Sequence, residues 1–277
     1  MPKLSEPPHA DPTKGSILLC VLRLVTIPIS HYCEKARWAL ERAGIEYHEE
    51  RHVQGIHRLA ARRAGGGMTV PVLVTPQGAI GESAEIIEWV DGRTAPEDRL
   101  LPVEAGTRAE VQELCARLDE RLGPAARRLM YVHMLTQREL LLSFNNQGVP
   151  PWEDRALRWG WPFAVRFIGR ALAITPGVDV EDEATVMREL DFVGDRLAHG
   201  RPHLCGDHFG AADLTFAALA AAVVVPPIYG VPLPQPELLA PETAAFVRRA
   251  REHPAGAYAM TLFAEYRRAP AVRAAAP

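Results

Sequence analysis

The chain has 277 residues, 48% of them hydrophobic and 23% charged, with a formal net charge of −3. That length and mixture can bury a core in one large or two ordinary domains, and the absence of a basic surplus argues against nucleic acid as a partner. The four cysteines, Cys20, Cys33, Cys115 and Cys205, form no CxxC pair and no zinc-ligand spacing, which argues against a metal centre and for free thiols. The polar, proline-rich start MPKLSEPP reads as no signal peptide. With free thiols, it predicts a cytoplasmic protein.

Residues 1–15 read as a disordered tail. Ser16–Val25 is apolar and β-branched, which predicts a buried strand. A loop follows at Thr26-Ile27-Pro28-Ile29. Ser30 can cap a helix over about Tyr32–Ala43, closed by Gly44. In that helix Cys33, Ala36, Ala39 and Leu40 share one face, with Glu34, Lys35 and Glu41 on another. Ile45–Val53 is a second strand, and Leu59–Ala64 a short helix stopped by Gly65-Gly66-Gly67. Val70–Val74 is a third strand opening at Pro71. A turn at Pro76-Gln77-Gly78 leads to a short fourth strand, Ala79-Ile80, and Ser83–Val90 is helical. A strand–helix–strand opening implies a parallel pair with a right-handed crossover, and the later turn an antiparallel hairpin. The fold class is α/β with order βαβαββα, followed by an all-α part.

Residues 93–104 read as a polar, proline-bearing linker. Helical periodicity then covers Ala105–Leu122, Ala125–Phe144, Glu183–His199, Asp213–Val225, Ala240–Glu252 and Tyr258–Arg268. The apolar run Phe216–Ile228 is too short to cross a bilayer comfortably and reads as a buried helix. The stretch 145–180, with Trp152, Trp159, Trp161 and several prolines, predicts one helix, Phe163–Ile174, behind an irregular lead-in.

Three motifs carry a resemblance: Ser30-His31-Tyr32-Cys33-Glu34-Lys35-Ala36-Arg37-Trp38-Ala39-Leu40, then Val70-Pro71-Val72-Leu73, then Glu82-Ser83-Ala84-Glu85-Ile86. Together they resemble the N-terminal domain of cytosolic glutathione transferases of the serine type. Leu204-Cys205-Gly206-Asp207 through Asp213-Leu214-Thr215-Phe216 resembles their helical domain. The resemblance spans roughly residues 16–268. It implies a thioredoxin-like glutathione-binding domain at 16–92 and an all-helical domain at 105–277 holding an electrophile pocket. It also implies a homodimer, a role in detoxification, and glutathione as co-substrate with a small hydrophobic electrophile. Nothing in the sequence suggests a metal, a membrane or nucleic acid as partner.

Ser30 lies where a strand meets a helix, so unpaired N–H groups and the positive dipole end favour an anion there. By itself the residue argues only for a helix cap. The resemblance makes it the thiol-activating hydroxyl, worth about 1.5–3 kcal/mol to a thiolate, or roughly one to two pKa units. Cys33, one turn on, is the second candidate catalytic group. Read alone it is a small buried residue, and serine at position 30 removes the partner a dithiol cycle would need. His31 reads as an exposed histidine. The resemblance assigns the glutathione backbone to Thr69-Val70-Pro71, with the proline cis. It assigns the γ-glutamyl group to Glu82 and Ser83, the latter as a helix N-cap, and the glycyl carboxylate to His57, with Arg62 or Arg63 as alternatives. Met130, Tyr131, Met134, Trp152, Trp159, Trp161 and Phe163 are candidate pocket walls.

Two other functions fit the same residues. One is a glutathione-dependent disulfide reductase using Cys33 or bound glutathione. The other is a non-catalytic binding protein that kept the fold.

Overall fold

A computed structural model describes residues 22–198 and 200–267. The expected tail over 1–15 and the start of the first expected strand, 16–21, lie outside the described residues. The N-terminal part runs Leu22–Thr26 (β1), His31–Arg42 (α1), Tyr47–Arg51 (β2), Ile56–Arg63 (α2), Val72–Thr75 (β3), Gly78–Ile80 (β4) and Ser83–Asp91 (α3), in the expected order. The four strands lie as β2-β1-β3-β4. β1 and β2 are parallel, and β1/β3 and β3/β4 antiparallel. This is the mixed sheet of a thioredoxin-like domain.

Local chemistry sets the ends of α1. Ser30 is extended (φ −67°, ψ 123°) and its Oγ accepts from the Cys33 amide at 3.4 Å. Gly44 closes the helix at φ +66°, and its N–H donates to the Glu41 carbonyl at 3.1 Å.

The remainder is helical: Ala105–Glu120 (α4), Leu122–Met134 (α5), Arg138–Asn145 (α6), Pro151–Trp159 (α7), Trp161–Ala171 (α8), Val178–Leu197 (α9), Ala211–Val224 (α10), Pro241–Glu252 (α11) and Pro254–Tyr266 (α12). Two expectations change here. The single helix expected over 125–144 is two, because the chain leaves helical geometry at Gln137 (φ −107°, ψ 62°). The segment 145–180 holds α7, α8 and the first turn of α9. Its prolines start helices: Pro151 and Pro162 occupy the first turn, where a missing N–H costs nothing.

α10 is apolar on all sides and buried along nearly its whole length. It packs against α1, α4, α5 and α12, joining the two parts around one continuous core. Its start is held by Asp213, whose carboxylate accepts from the Gly210 amide at 2.9 Å. The same carboxylate also accepts from the Leu204 amide (2.9 Å) and the Tyr258 hydroxyl (2.6 Å). Asp213→Asn keeps one acceptor oxygen but turns an NH2 group toward at least one of these donors. It is expected to cost about 2 kcal/mol, read from the denaturant midpoint at unchanged slope.

The segment between the two parts is pinned at its end. Asp91 accepts from the Leu100 and Leu101 amides at 2.7 and 3.1 Å. The Leu100 carbonyl in turn takes the Ala211 amide at 2.8 Å. Both leucines are buried.

The polar face expected for α1 is not exposed. Glu34, Lys35 and Arg37 are buried because the helical part packs on the side of α1 away from the sheet. Each charge meets an opposite one: Lys35 Nζ lies 2.7 Å from Asp119, Arg37 Nε 2.7 Å from Glu49, and Glu34 Oε1 2.6 Å from Arg267 Nε. Burial would raise the Glu49 carboxyl, but Arg37, Arg51 and the Thr26 hydroxyl hold it down at about 2.

Candidate functional site

The N-terminus of α1 opens on a cavity of about 190 Å³ between the two parts of the chain. One wall is the thioredoxin-like part: Ile27, Ile29, Ser30 and His31 around the start of α1, with His57 from α2 and Thr69-Val70 ahead of β3. The facing wall is helical. α5 contributes Arg127, Met130, Tyr131 and Met134, and α6 Leu141 and Phe144. α10 and the segment after it contribute Ala221, Ala222, Val225, Tyr229, Leu233 and Pro234.

Backbone geometry shapes both walls. The Val70–Pro71 peptide is cis, as the resemblance implies. α10 ends at Val225 in left-handed geometry (φ +47°), which a β-branched residue adopts only under constraint. Arg251 supplies that constraint, donating to the Val224 carbonyl at 2.7 Å and the Val225 carbonyl at 2.6 Å. Gly123 brings α5 against α1, since a β-carbon there would collide with the Tyr32 hydroxyl. That hydroxyl donates to the Asp119 carbonyl at 2.8 Å.

The candidate residues divide into two groups. Ser30, His57, Thr69 and Val70 line the cavity. Ser30 Oγ accepts from the Cys33 amide at 3.4 Å, and the Cys33 thiol lies within hydrogen-bond reach of the same hydroxyl. His57 Nδ1 accepts from the Gly55 amide at 3.1 Å, which puts the proton of the neutral ring on Nε2. Burial holds its pKa down at about 4, so at neutral pH it is an uncharged donor.

Pro71, Cys33, Glu82 and Ser83 lie outside the cavity wall. Cys33 is fully buried, and burial is the main cause pushing its thiol pKa up, which fits a core residue and not a reactive one. The expected cap at α3 is shifted by one residue. Glu82 is the N-cap, extended and without a side-chain cap bond, and Ser83 is the first helical residue. The amides at that helix start are therefore uncapped by any side chain. Glu82 is exposed, but its charge is felt at Tyr32, whose hydroxyl is raised to about 12, mainly by burial.

The tryptophan-rich segment does not supply the walls expected of it. Trp152, Trp159 and Phe163 are 57%, 89% and 73% exposed. Trp161 instead packs beneath α6 and α7. Of the expected walls, Met130, Tyr131 and Met134 are in place.

His31 corrects another expectation, since it is only 4% exposed. Its Nε2 is buried with no hydrogen-bond partner among the described residues. Burial, then Arg127, then Lys35, hold its pKa down from 6.5 to about 3. In the unfolded chain it protonates near 6.5, so its contribution is complete above that pH. It is lost as the pH falls from 6.5 toward 3, at up to ~1.4 kcal/mol per pH unit. His31→Gln should flatten that acid limb of the stability curve. Superimposable wild-type and variant limbs would contradict the buried neutral ring.

Sequence reasoning missed Arg127. An arginine in a helix reads as solvated, and only the facing of α5 and α1 shows that it reaches the cavity.

Residues 24–98 match the family described as glutathione S-transferase, N-terminal domain. No curated protein matches the chain. Among solved structures, a glutathione S-transferase from Xanthobacter autotrophicus Py2 is similar, with TM-score 0.57 at 20% identity over 88% of this chain and 93% of that one. A glutathione S-transferase from Methylobacillus flagellatus KT, solved with glutathione bound, gives 0.57 at 15% identity over 88% and 95%. Glutathione transferase F2 from Populus trichocarpa gives 0.56 at 14% over 88% and 93%. At these identities the likeness is one of fold. Residues 24–98 thus match a glutathione S-transferase N-terminal domain, and the chain shares the two-part fold of these glutathione S-transferase structures.

Proposed function

We propose that the protein is a glutathione transferase that joins glutathione to small hydrophobic electrophiles, with Ser30 stabilising the thiolate. Glutathione supplies the nucleophilic sulfur. The observation that carries this reading is the placement of Ser30. Its hydroxyl stands at a helix N-terminus and opens on a cavity whose far wall is largely apolar. Donation from Ser30 Oγ and from the first amides of α1 favours the anionic form of a thiol held there. His57 Nε2 is a neutral donor on the same wall, and Thr69-Val70 offer backbone groups beside it. Conjugation balances simply: a C–S bond forms, the bond to a leaving halide breaks, and the thiol proton passes to solvent.

The burial of Cys33 leaves a reductase without an accessible thiol of its own, so conjugation is the better-supported chemistry. The test is direct. Calorimetry should detect glutathione binding in the millimolar range or tighter, and a chlorinated dinitrobenzene should be turned over. Binding without turnover would favour a carrier role, and neither binding nor turnover would leave only the fold in common with the transferases.

A further inference from the structure

Among the described residues, Arg127 is a cation without a carboxylate partner. Its sequence neighbour Arg128 is clamped by Asp182, with both hydrogen bonds at 2.6 Å. Lys35, Arg37 and Arg267 each meet an acid. Arg127, half-buried on the cavity wall, forms no ion pair with any described residue, and its Nε is buried without a hydrogen-bond partner. Polar and aromatic groups surround it. The Tyr32 ring lies 5.8 Å away. The Nε2 of His31, a residue 4% exposed on the same wall, has no partner among the described residues. Tyr131, one turn along α5, accepts from the Gln54 amide and keeps its own proton to donate. Around these groups the surface is apolar: Met130, Met134, Leu141 and Phe144.

A guanidinium at the edge of an apolar cavity, beside an orphaned imidazole and a free hydroxyl proton, is complementary to one planar anion attached to an apolar body. We infer that Arg127 determines the specificity of the cavity, and that the second substrate is an apolar electrophile bearing a carboxylate. This rests on the reading of the cavity as a conjugation site. It adds what that reading lacks, a charge on the electrophile. A carboxylate reaching Arg127 exchanges water for a two-pronged, charge-assisted contact in a poorly solvated place. A neutral analogue leaves the guanidinium as it is.

The test uses a matched pair, 4-chloro-3,5-dinitrobenzoate and its methyl ester, each rate normalised to its uncatalysed reaction with glutathione. Wild type should prefer the acid. Arg127→Met should lower the acid-to-ester ratio of kcat/KM by about 10- to 100-fold, the worth of a hydrogen bond to a charged group. Arg127→Lys should recover only part, since a point charge lacks the fork. A second readout does not depend on turnover. Calorimetric affinity for 4-methyl-3,5-dinitrobenzoate, which has no leaving group, should fall in Arg127→Met by a similar factor. If wild type conjugates neither compound, the conjugation reading fails while this affinity still decides the role of Arg127. Glutathione has carboxylates of its own, so its dissociation constant is measured in the same variant and should stay within about twofold. Equal loss on acid and ester, unchanged affinity for the inert acid, or a large loss of glutathione affinity would each overturn the assignment.

Discussion

Replacing Ser30 with alanine is expected to slow conjugation by about 10- to 100-fold at neutral pH while glutathione still binds. The magnitude follows from one hydrogen bond to a charged group, about 1.5–3 kcal/mol, at 1.36 kcal/mol per decade of rate. The deficit should have a particular pH dependence. Without the hydroxyl, less of the bound thiol is ionised, but the thiolate that forms is more basic and intrinsically more nucleophilic. Raising the pH refills the thiolate pool, so the gap between variant and wild type should narrow. A cap is also lost, yet Ser30 Oγ sits a long 3.4 Å from the Cys33 amide, so its cost should fall at the low end of the range for N-caps. Unchanged turnover in Ser30→Ala would remove the role assigned to the hydroxyl.

Glu34→Ala should be the most destabilising change, at about 3 kcal/mol. Glu34 is fully buried. Its carboxylate accepts from the Gly230 amide at 3.0 Å, from Arg267 Nε at 2.6 Å and from Arg37 Nη1 at 3.3 Å. Removing one partner of a buried ionic cluster commonly costs about 3–5 kcal/mol, because the remaining charges stay buried. Here Arg37 keeps Glu49 and Arg267 keeps Glu41, which places the expectation at the lower end. In Tm this is roughly 6–12 °C for a domain of this size. The change should reach the cavity as well. Gly230 is fitted so closely to Glu34 that a β-carbon would collide with the carboxylate, and its neighbour Tyr229 holds the Ile29 carbonyl at 3.3 Å. Glu34→Gln, which keeps the shape and one acceptor, should cost less. A loss under about 1 kcal/mol in the alanine variant would mean the cluster is not holding the two parts together.

The sheet and the start of α1 were legible in the sequence because each depends on local signals. Alternating or continuous apolar runs, a serine before a helix and a glycine after it are short-range features, and the end of β1 and α1 with its caps fell within a few residues of expectation. Where tertiary packing decides, sequence periodicity misled. The polar face of α1 carries Glu34 and Lys35, which a lone helix would turn to water, but a second layer covers it and every charge is paired there instead. Prolines 151 and 162 looked like breaks and proved to be helix starts, because proline disrupts only helix interiors.

The cavity divides along the same line. Ser30, His57 and Val70 were readable from motifs within one domain. His31 and Arg127 take their meaning from each other across the interface between α1 and α5, some hundred residues apart in the chain. Conversely, aromatic content alone drew attention to Trp152, Trp159 and Phe163, which face away from the cavity into solvent. Aromatic residues are informative about a pocket only once the helix that carries them has been oriented.

The central claim is that the start of α1 and Ser30 stabilise a thiolate. It is tested most directly by titrating the thiol of bound glutathione through its ultraviolet thiolate absorbance, in wild type and in Ser30→Ala. An unperturbed thiol ionises near 8.5. Wild type should hold the bound thiol about one to two units lower, and Ser30→Ala should return most of that shift. A bound thiol that ionises at its free value in wild type, or an equally low value in both proteins, would contradict it.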